Sequence, residues 1–300
     1  MEQIVQIDDV KTFNDLYGLE TTNPLVSVID VTTNGVHEAD TTRFNYGVYA
    51  LFIKHGKGCT MRYGRQTYDY QEGTVVCLAP GQVVEVTKTN NVGPMKMEAL
   101  IFHPDLIYGT SLADKMGNYT FFNYSENEAL HMSKEEQQTL RCLLSNIKTE
   151  MAHDVDSHSR ELLCSYVELF LNYCMRFYDR QFHTRAKVNN GILHKFEDEL
   201  HSYFANGSAR RQGLPSVKYF ADKVFLSANY FGDLIKRETG KSPQDYIHLH
   251  TIAEAKQYLL GTDMGIAEIA DTLGFQYPQH FSRMFKKHTG YTPNEFRKIV

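Results

Sequence analysis

Two stretches of this chain repeat each other fifty residues apart. FGDLIKRETGKSP runs from Phe231 to Pro243 and FSRMFKKHTGYTP from Phe281 to Pro293, with Phe, Lys, Thr, Gly and Pro in register. Upstream, Ala221-Asp222 and Ala270-Asp271 match at forty-nine, so the second copy carries one extra residue in its turn. Such a period marks a repeat array or a duplicated module, and two copies favour duplication. The punctuation within each copy is helical. Ser227 caps a helix that turns Phe231, Leu234 and Ile235 inward, and Ser242-Pro243 pairs an N-cap with proline at the first helical position. In the second copy a helix from Gly265 to Leu273 ends at the turn residue Gly274, Pro278 opens another, and Thr292-Pro293 with Glu295 opens the last. A short helix, a tight turn and a second helix make a helix-turn-helix.

The faces of the second copy suggest what the module does. Phe281, Phe285 and His288, with Met284 beside them, share a face expected to join the core. Gln279, His280, Arg283 and Lys287 share the opposite side. Gln pairs bidentately with adenine and Arg with guanine in the major groove. Lys286 and Lys287 stand where phosphates would be met, which positions a protein without reading sequence. The helix expected between the two units, Pro243 to Leu260, spans roughly 27 Å at 1.5 Å per residue. Major-groove faces on one side of B-DNA recur at about 34 Å, so a connector of that length suits two reading helices in adjacent grooves.

The segment IAEIADTLGFQYPQHFSRMFKKHTGYTPNEFR, Ile266 to Arg297, resembles the signature of the AraC/XylS-type DNA-binding domain, and KRETGKSP and IAEAKQYLL in the first half fit it too. The resemblance implies a seven-helix domain with two helix-turn-helix units in a transcription regulator, most often an activator that works with RNA polymerase. Carried over by position, Gln279, His280 and Arg283 would read bases, while Pro278 sits at a contacting position with no donor to offer. The first copy departs from the pattern. Phe225 stands where the family's turn usually has glycine, so a differently built turn is expected. Its exposed face is expected to hold Asn229, Gly232, Asp233 and Lys236, and a carboxylate at 233 repels phosphates. Asn229 is the base reader expected there, with Lys236, Arg237 and Lys241 on phosphates.

Charge divides the chain in the same sense. Residues 185–300 hold sixteen Lys and Arg against twelve Asp and Glu, +4, which leaves −9 on residues 1–184 out of the total of −5. An acidic front and a basic tail direct only the tail toward a polyanion. Five cysteines without a CxxC suit reduced thiols in a cytoplasmic protein. The N-terminus has no signal-peptide pattern, and no apolar run approaches the roughly 20 residues that would span a bilayer.

From about residue 24 to 103 short aromatic and β-branched runs recur between Gly and Pro turns, as in a sandwich or barrel. Beyond Pro104 the period becomes helical. Ser133 and Glu136 form a capping box before a stripe of Leu140, Leu143, Leu144, Ile147 and Met151. A second helix, Ser157 to Phe182, is apolar on more than one face and predicts a homodimer interface. The fold class is therefore α+β: a cupin-like β-barrel over 1–130, a helical pair over 131–183, a linker over 184–190, and an all-α domain with two helix-turn-helix units over 191–300.

The run from Tyr46 to Gln82 looks like the cupin-type barrel that often precedes this DNA-binding domain, where it holds a small effector or mediates dimerisation. Arg43, Tyr46, Arg62, Tyr63, Tyr68 and Tyr70 could line an effector pocket. The competing reading is a cupin-type small-molecule enzyme with a helical interaction module. Metal-dependent cupins use an HxH pair, and His37, His55 and His103 stand alone; His248 and His250 form an HxH only on the connector helix, where alternate residues diverge. The sequence thus predicts no catalytic residues, metal or cofactor. It predicts a double-stranded-DNA-binding homodimer that is not an enzyme and does not enter membranes.

Overall fold

The structure, a computed structural model, describes residues 4–33, 41–55, 59–63, 66–67, 73–88, 95–125 and 128–299. Two units are distinguished, Met1–Thr184 and Arg185–Val300. The first is built from β1 (Ile4–Ile7), α1 (Val10–Leu16), β2 (Val26–Thr33), β3 (Thr41–Tyr46), β4 (Tyr49–His55), β5 (Cys59–Tyr63), β6 (Gln66–Thr67), β7 (Thr74–Leu78), β8 (Gln82–Lys88) and β9 (Met95–Phe102). Two short helices follow, α2 (Pro104–Ile107) and α3 (Ser111–Lys115), then β10 (Leu130–His131), α4 (Lys134–Met151) and α5 (Ser159–Thr184).

The strands form two five-stranded sheets, ordered β1-β3-β8-β5-β6 and β10-β7-β4-β9-β2. Alternate residues from both meet in one core: Phe44, Tyr46 and Val84 from the first, Ile29, Ala50, Phe52, Val76, Leu78, Met97, Ala99 and Ile101 from the second. The second sheet is covered on its other face as well. Cys77 lies beside Tyr178 of α5, and Glu98 of β9 accepts a 2.9 Å bond from Arg141 of α4. Burial on both faces explains why every residue of β7 is buried, with an unbroken apolar run from Val75 to Leu78 rather than an alternating one. Among the described strands the two sheets share no member and neither closes on itself, so the expected barrel is corrected to a pair of open sheets. The cause is pairing: β1 adds to β3 in parallel at one edge, and β10 and β2 each bond only one neighbour.

The helical pair forms as its signals predict. Ser133 Oγ accepts from the Glu136 amide at 3.2 Å, and the Ser133 amide donates to Glu136 Oε2 at 2.8 Å, completing the capping box. Leu140, Leu143, Leu144 and Ile147 are buried. Helix α5 buries Leu163, Val167, Phe170, Leu171, Cys174, Phe177 and Tyr178. No described helix is long and apolar enough to cross a membrane.

The second unit comprises α6 (Ala186–Ala205), α7 (Ser208–Gln212), α8 (Val217–Lys223), α9 (Ala228–Thr239), α10 (Pro243–Gly261), α11 (Ile266–Thr272), α12 (Pro278–Thr289) and α13 (Pro293–Ile299). Seven of these fit the seven-helix expectation, and the one-turn α7 is additional. The segment read as a linker is helical apart from Arg185, because α6 starts at Ala186 rather than after residue 190. In the first half of the unit, Phe196 packs edge-on against Phe220 and Phe231 at 5.0 and 5.3 Å. In the second, Phe285 meets Phe281 at 5.8 Å and Phe296 at 5.4 Å. Each fully buried Phe of this kind contributes about 1.5–3 kcal/mol relative to exposure. Arg297 holds the end of the unit by donating to the carbonyls of Leu259 and Met264 at 3.1 and 2.7 Å.

Candidate nucleic-acid interface

The two helix-turn-helix units, α8–α9 and α11–α12, leave their first helices through the same left-handed turn, and the second has one more residue before its N-cap. In the second, the Phe275 amide donates to Ala270 O at 2.9 Å and the Gly274 amide to Asp271 O at 3.0 Å. In the first, Leu226 donates to Ala221 O at 3.0 Å and Phe225 to Asp222 O at 3.2 Å. Gly274 has φ +87°, and Phe225 at the matching place has φ +60°, the positive-φ non-glycine residue of the described chain. The expectation of a differently built turn is therefore corrected: phenylalanine is held in the left-handed conformation that glycine adopts in the other copy. Its ring is 68 % exposed, with Lys195 Nζ 5.9 Å from the ring centre. What separates the positions is their surroundings. A Cβ on Gly274 would fall 2.6 Å from Ala209 O and 2.7 Å from Gly213 C, whereas the Phe225 side chain projects outward.

The recognition helices end alike. Gly240 and Gly290 take the left-handed C-cap, and Thr239 and Thr289 each bond back to the carbonyl four residues earlier. On α12, Phe281 and Phe285 are buried, while Gln279, His280, Arg283, Lys286 and Lys287 are exposed. Arg283, Lys286 and Lys287 form no salt bridge within the unit among the described residues. His288, expected in the core, is exposed instead; its ring lies 5.8 Å from that of His248 on α10. Helical spacing puts it beside Phe281 and Phe285, but it falls in the last turn, past the packed layer. Burial first, and then neighbouring positive charge from His288, hold the His248 imidazole below its ordinary range; burial also lowers His250.

Position by position, α9 offers less. Asn229 is exposed like Gln279, but Tyr230, which matches His280, is 4 % exposed and belongs to the core. Asp233, matching Arg283, is half-buried, and Lys236, Arg237 and Lys241 are exposed. The sequence-based selection missed Tyr277, at 49 % exposure the N-cap residue of α12, whose ring stands 5.5 Å from that of His280. Its signal was the aromatic placed directly before the Pro278 helix start.

Of the effector-pocket candidates, Arg43 and Tyr46 have described side chains. Arg43 Nε bonds Glu85 Oε2 at 3.1 Å, and Tyr46 is core, 6.2 Å from Phe52 ring to ring. Arg62 pairs in register with Glu85 and Thr67 through its strand, while its side chain, that of Tyr63, and all of Tyr68 and Tyr70 lie outside the described residues. A cavity of about 10 Å³ under Tyr178, lined by Val76, Gln82 and Phe121 among others, has room for no more than a water molecule and includes none of the candidates.

The family model described as a helix-turn-helix domain matches residues 220–299. The chain is 41 % identical over 86 residues to the uncharacterized transcriptional regulatory protein YesN of Bacillus subtilis, covering 28 % of this chain and 23 % of that one. It is 35 % identical over 118 residues to the Msm operon regulatory protein of Streptococcus mutans, covering 39 % and 38 %. A solved transcriptional regulator of Chromobacterium violaceum, titled as containing an AraC-type DNA-binding domain, is 26 % identical and matches 34 % of this chain and 91 % of its own. Residues 220–299 are an AraC-type helix-turn-helix domain. That last superposition has a TM-score of 0.29, too low to add to the sequence match. The matches cover between 12 % and 49 % of the first four curated relatives' own lengths. Within the AraC-type unit the family model spans both turns and both recognition helices, from Phe220 on α8 to Ile299 on α13.

Proposed function

We propose that the chain is a sequence-specific DNA-binding transcription regulator in which α12 is the principal base reader. The observation that carries this reading is the exposed set Gln279, His280 and Arg283 on a helix anchored from behind by Phe281 and Phe285. Its side chains supply an adenine-type amide and a guanine-type guanidinium, with Lys286 and Lys287 one turn on for phosphates. Helix α9 supplies orientation more than readout, through Lys236, Arg237 and Lys241 and with Asn229 as its one exposed amide. Activation, with contact to RNA polymerase, is part of the proposal, as is an enzyme-free role for the two-sheet first unit in dimerisation or effector sensing. For dimerisation the support is α5: Leu162 and Leu169 are 44 % and 43 % exposed, and Tyr166 and Tyr173 are half-buried. Those four stand at alternating spacings of four, three and four, the seam of a coiled coil.

Fluorescence anisotropy on a fragment of a bound promoter tests the reading. Affinity should fall linearly in log–log with salt. Arg283→Ala should cost about 1–3 kcal/mol and relax preference at one base pair, whereas Asp233→Ala should leave preference unchanged. Unaltered preference in Arg283→Ala would remove α12 as the main reader.

A further inference from the structure

Helices α6 and α10 meet through ring-bearing side chains. Phe196 packs on Tyr246 at 5.5 Å, the Tyr246 hydroxyl donates to Glu197, and one turn further on the rings of His201 and His250 stack in near-parallel planes at 6.1 Å. Glu254, one turn beyond His250 on the same face, brings a carboxylate oxygen to 3.9 Å from His250 Nδ1. One ligand atom from each of His201, His250 and Glu254 lies within 4.8 Å of the other two. We propose that these three side chains form a site for a borderline divalent cation of the zinc class, bridging α6 and α10.

The chemistry of the donors sets the class. Two imidazoles and one carboxylate suit zinc, nickel or copper, whereas magnesium and calcium select oxygen donors. Around a tetrahedral zinc ion, with bonds of about 2.0–2.2 Å, ligand atoms stand about 3.4 Å apart. Modest side-chain rotation closes the observed spacing to that value. The 3.9 Å separation of His250 from Glu254 is too long for a hydrogen bond, so no strong bond need break to admit the ion. His250 and Glu254 side chains are 19 % and 18 % exposed, while His201 is exposed, which gives a site walled on the protein side and open to entry on the other. Phe204, its ring 5.3 Å from His250, forms part of the apolar wall. Three protein ligands leave the fourth position to water. The adjacent pair His248 and His250 does not chelate, since alternate residues of a helix diverge; the useful spacing is His250 to Glu254, four apart, joined by a histidine from another helix. An ion there would tie the first helix of the unit to the connector that carries both helix-turn-helix units, a cation-dependent brace. This inference stands independently of the DNA-binding reading.

The test is thermal unfolding of the full chain with Zn²⁺ against the same chain with EDTA, alongside calorimetric titration. Zinc at about a hundred times its dissociation constant should raise the Tm of the C-terminal unit by roughly 5–10 °C, with one ion bound per chain. His201→Gln, on the exposed side, should keep the metal-free Tm and abolish both the shift and the stoichiometric binding. His288→Gln, from the other histidine pair, should retain them. Cobalt substitution should give the visible absorption of a tetrahedral centre in the parent chain and lose it in His201→Gln. The absence of a zinc-dependent shift, or a shift that survives in His201→Gln, would overturn the site.

Discussion

Phe225 and Gly274 occupy the same point of the same turn under different constraints. Left-handed backbone costs an L-residue about 1–2 kcal/mol, and Phe225 bears that cost in the open. Gly274 has no such latitude, because backbone atoms of Ala209, Gly213 and Leu214 fill the space that a Cβ would need. Gly274→Ala should therefore destabilise the C-terminal unit by about 2–4 kcal/mol, the conformational cost plus that of overpacking, measured by urea unfolding. A loss under about 0.5 kcal/mol would mean that this contact yields easily. Glu295 illustrates a second local effect. The Thr292 amide donates to it at 2.7 Å and holds its carboxyl below the ordinary range, with the Thr292 hydroxyl also near. A depressed folded pKa stabilises above the unfolded pKa of about 4.3, and the gain is lost as pH falls through the folded value. Glu295→Gln should accordingly lower Tm at neutral pH and flatten its decline in acid, the two chains converging below the folded pKa of Glu295. The capping boxes at Ser133 and Thr292 were legible as letters because a cap is a local bond. Tyr230, buried where His280 is exposed, was not, because burial depends on which neighbours arrive.

Among elements, α12 and α9 show how a shared scaffold separates from a divergent surface. Apart from the exposed Lys236 and Lys286, the letters common to the copies form caps, turns and core, and the outer face differs at Asp233, half-buried, and Arg283, which meets solvent. Helix α5 presents the same division within one element: its inner stripe is covered by its own unit, while Leu162, Tyr166, Leu169 and Tyr173 line the outer side. Leu169→Lys places a charge in the middle of that seam without touching the core. It should convert the full chain from dimer to monomer by light scattering, with the thermal stability of the monomer retained. A wild-type chain that scatters as a monomer at high concentration would remove the dimer from the proposal. Helix starts were visible from their Ser, Thr and Pro signals. The start of α6 was not, because HTRAKVNN carries no apolar period and is helical without an N-cap side-chain bond.

For the molecule as a whole, two units with separate aromatic and aliphatic cores predict separable folding. A fragment of residues 185–300 should unfold cooperatively alone and bind a two-site operator about 100-fold more weakly than the full chain, since it loses the effective concentration that a dimer supplies. Equal affinity by anisotropy would mean that the first unit adds nothing to DNA binding. The duplicated module and the exposed polar side of α12 could be read directly from one dimension, since helix caps, glycine turns and 3.6-residue periodicity are short-range properties. The open edges of the two sheets, the outward turn of His288 and the approach of His201 to His250 and Glu254 could not. These arise when segments far apart in the chain choose their neighbours, and strand pairing and interhelical packing are settled by shape and burial across the fold, which no local pattern encodes.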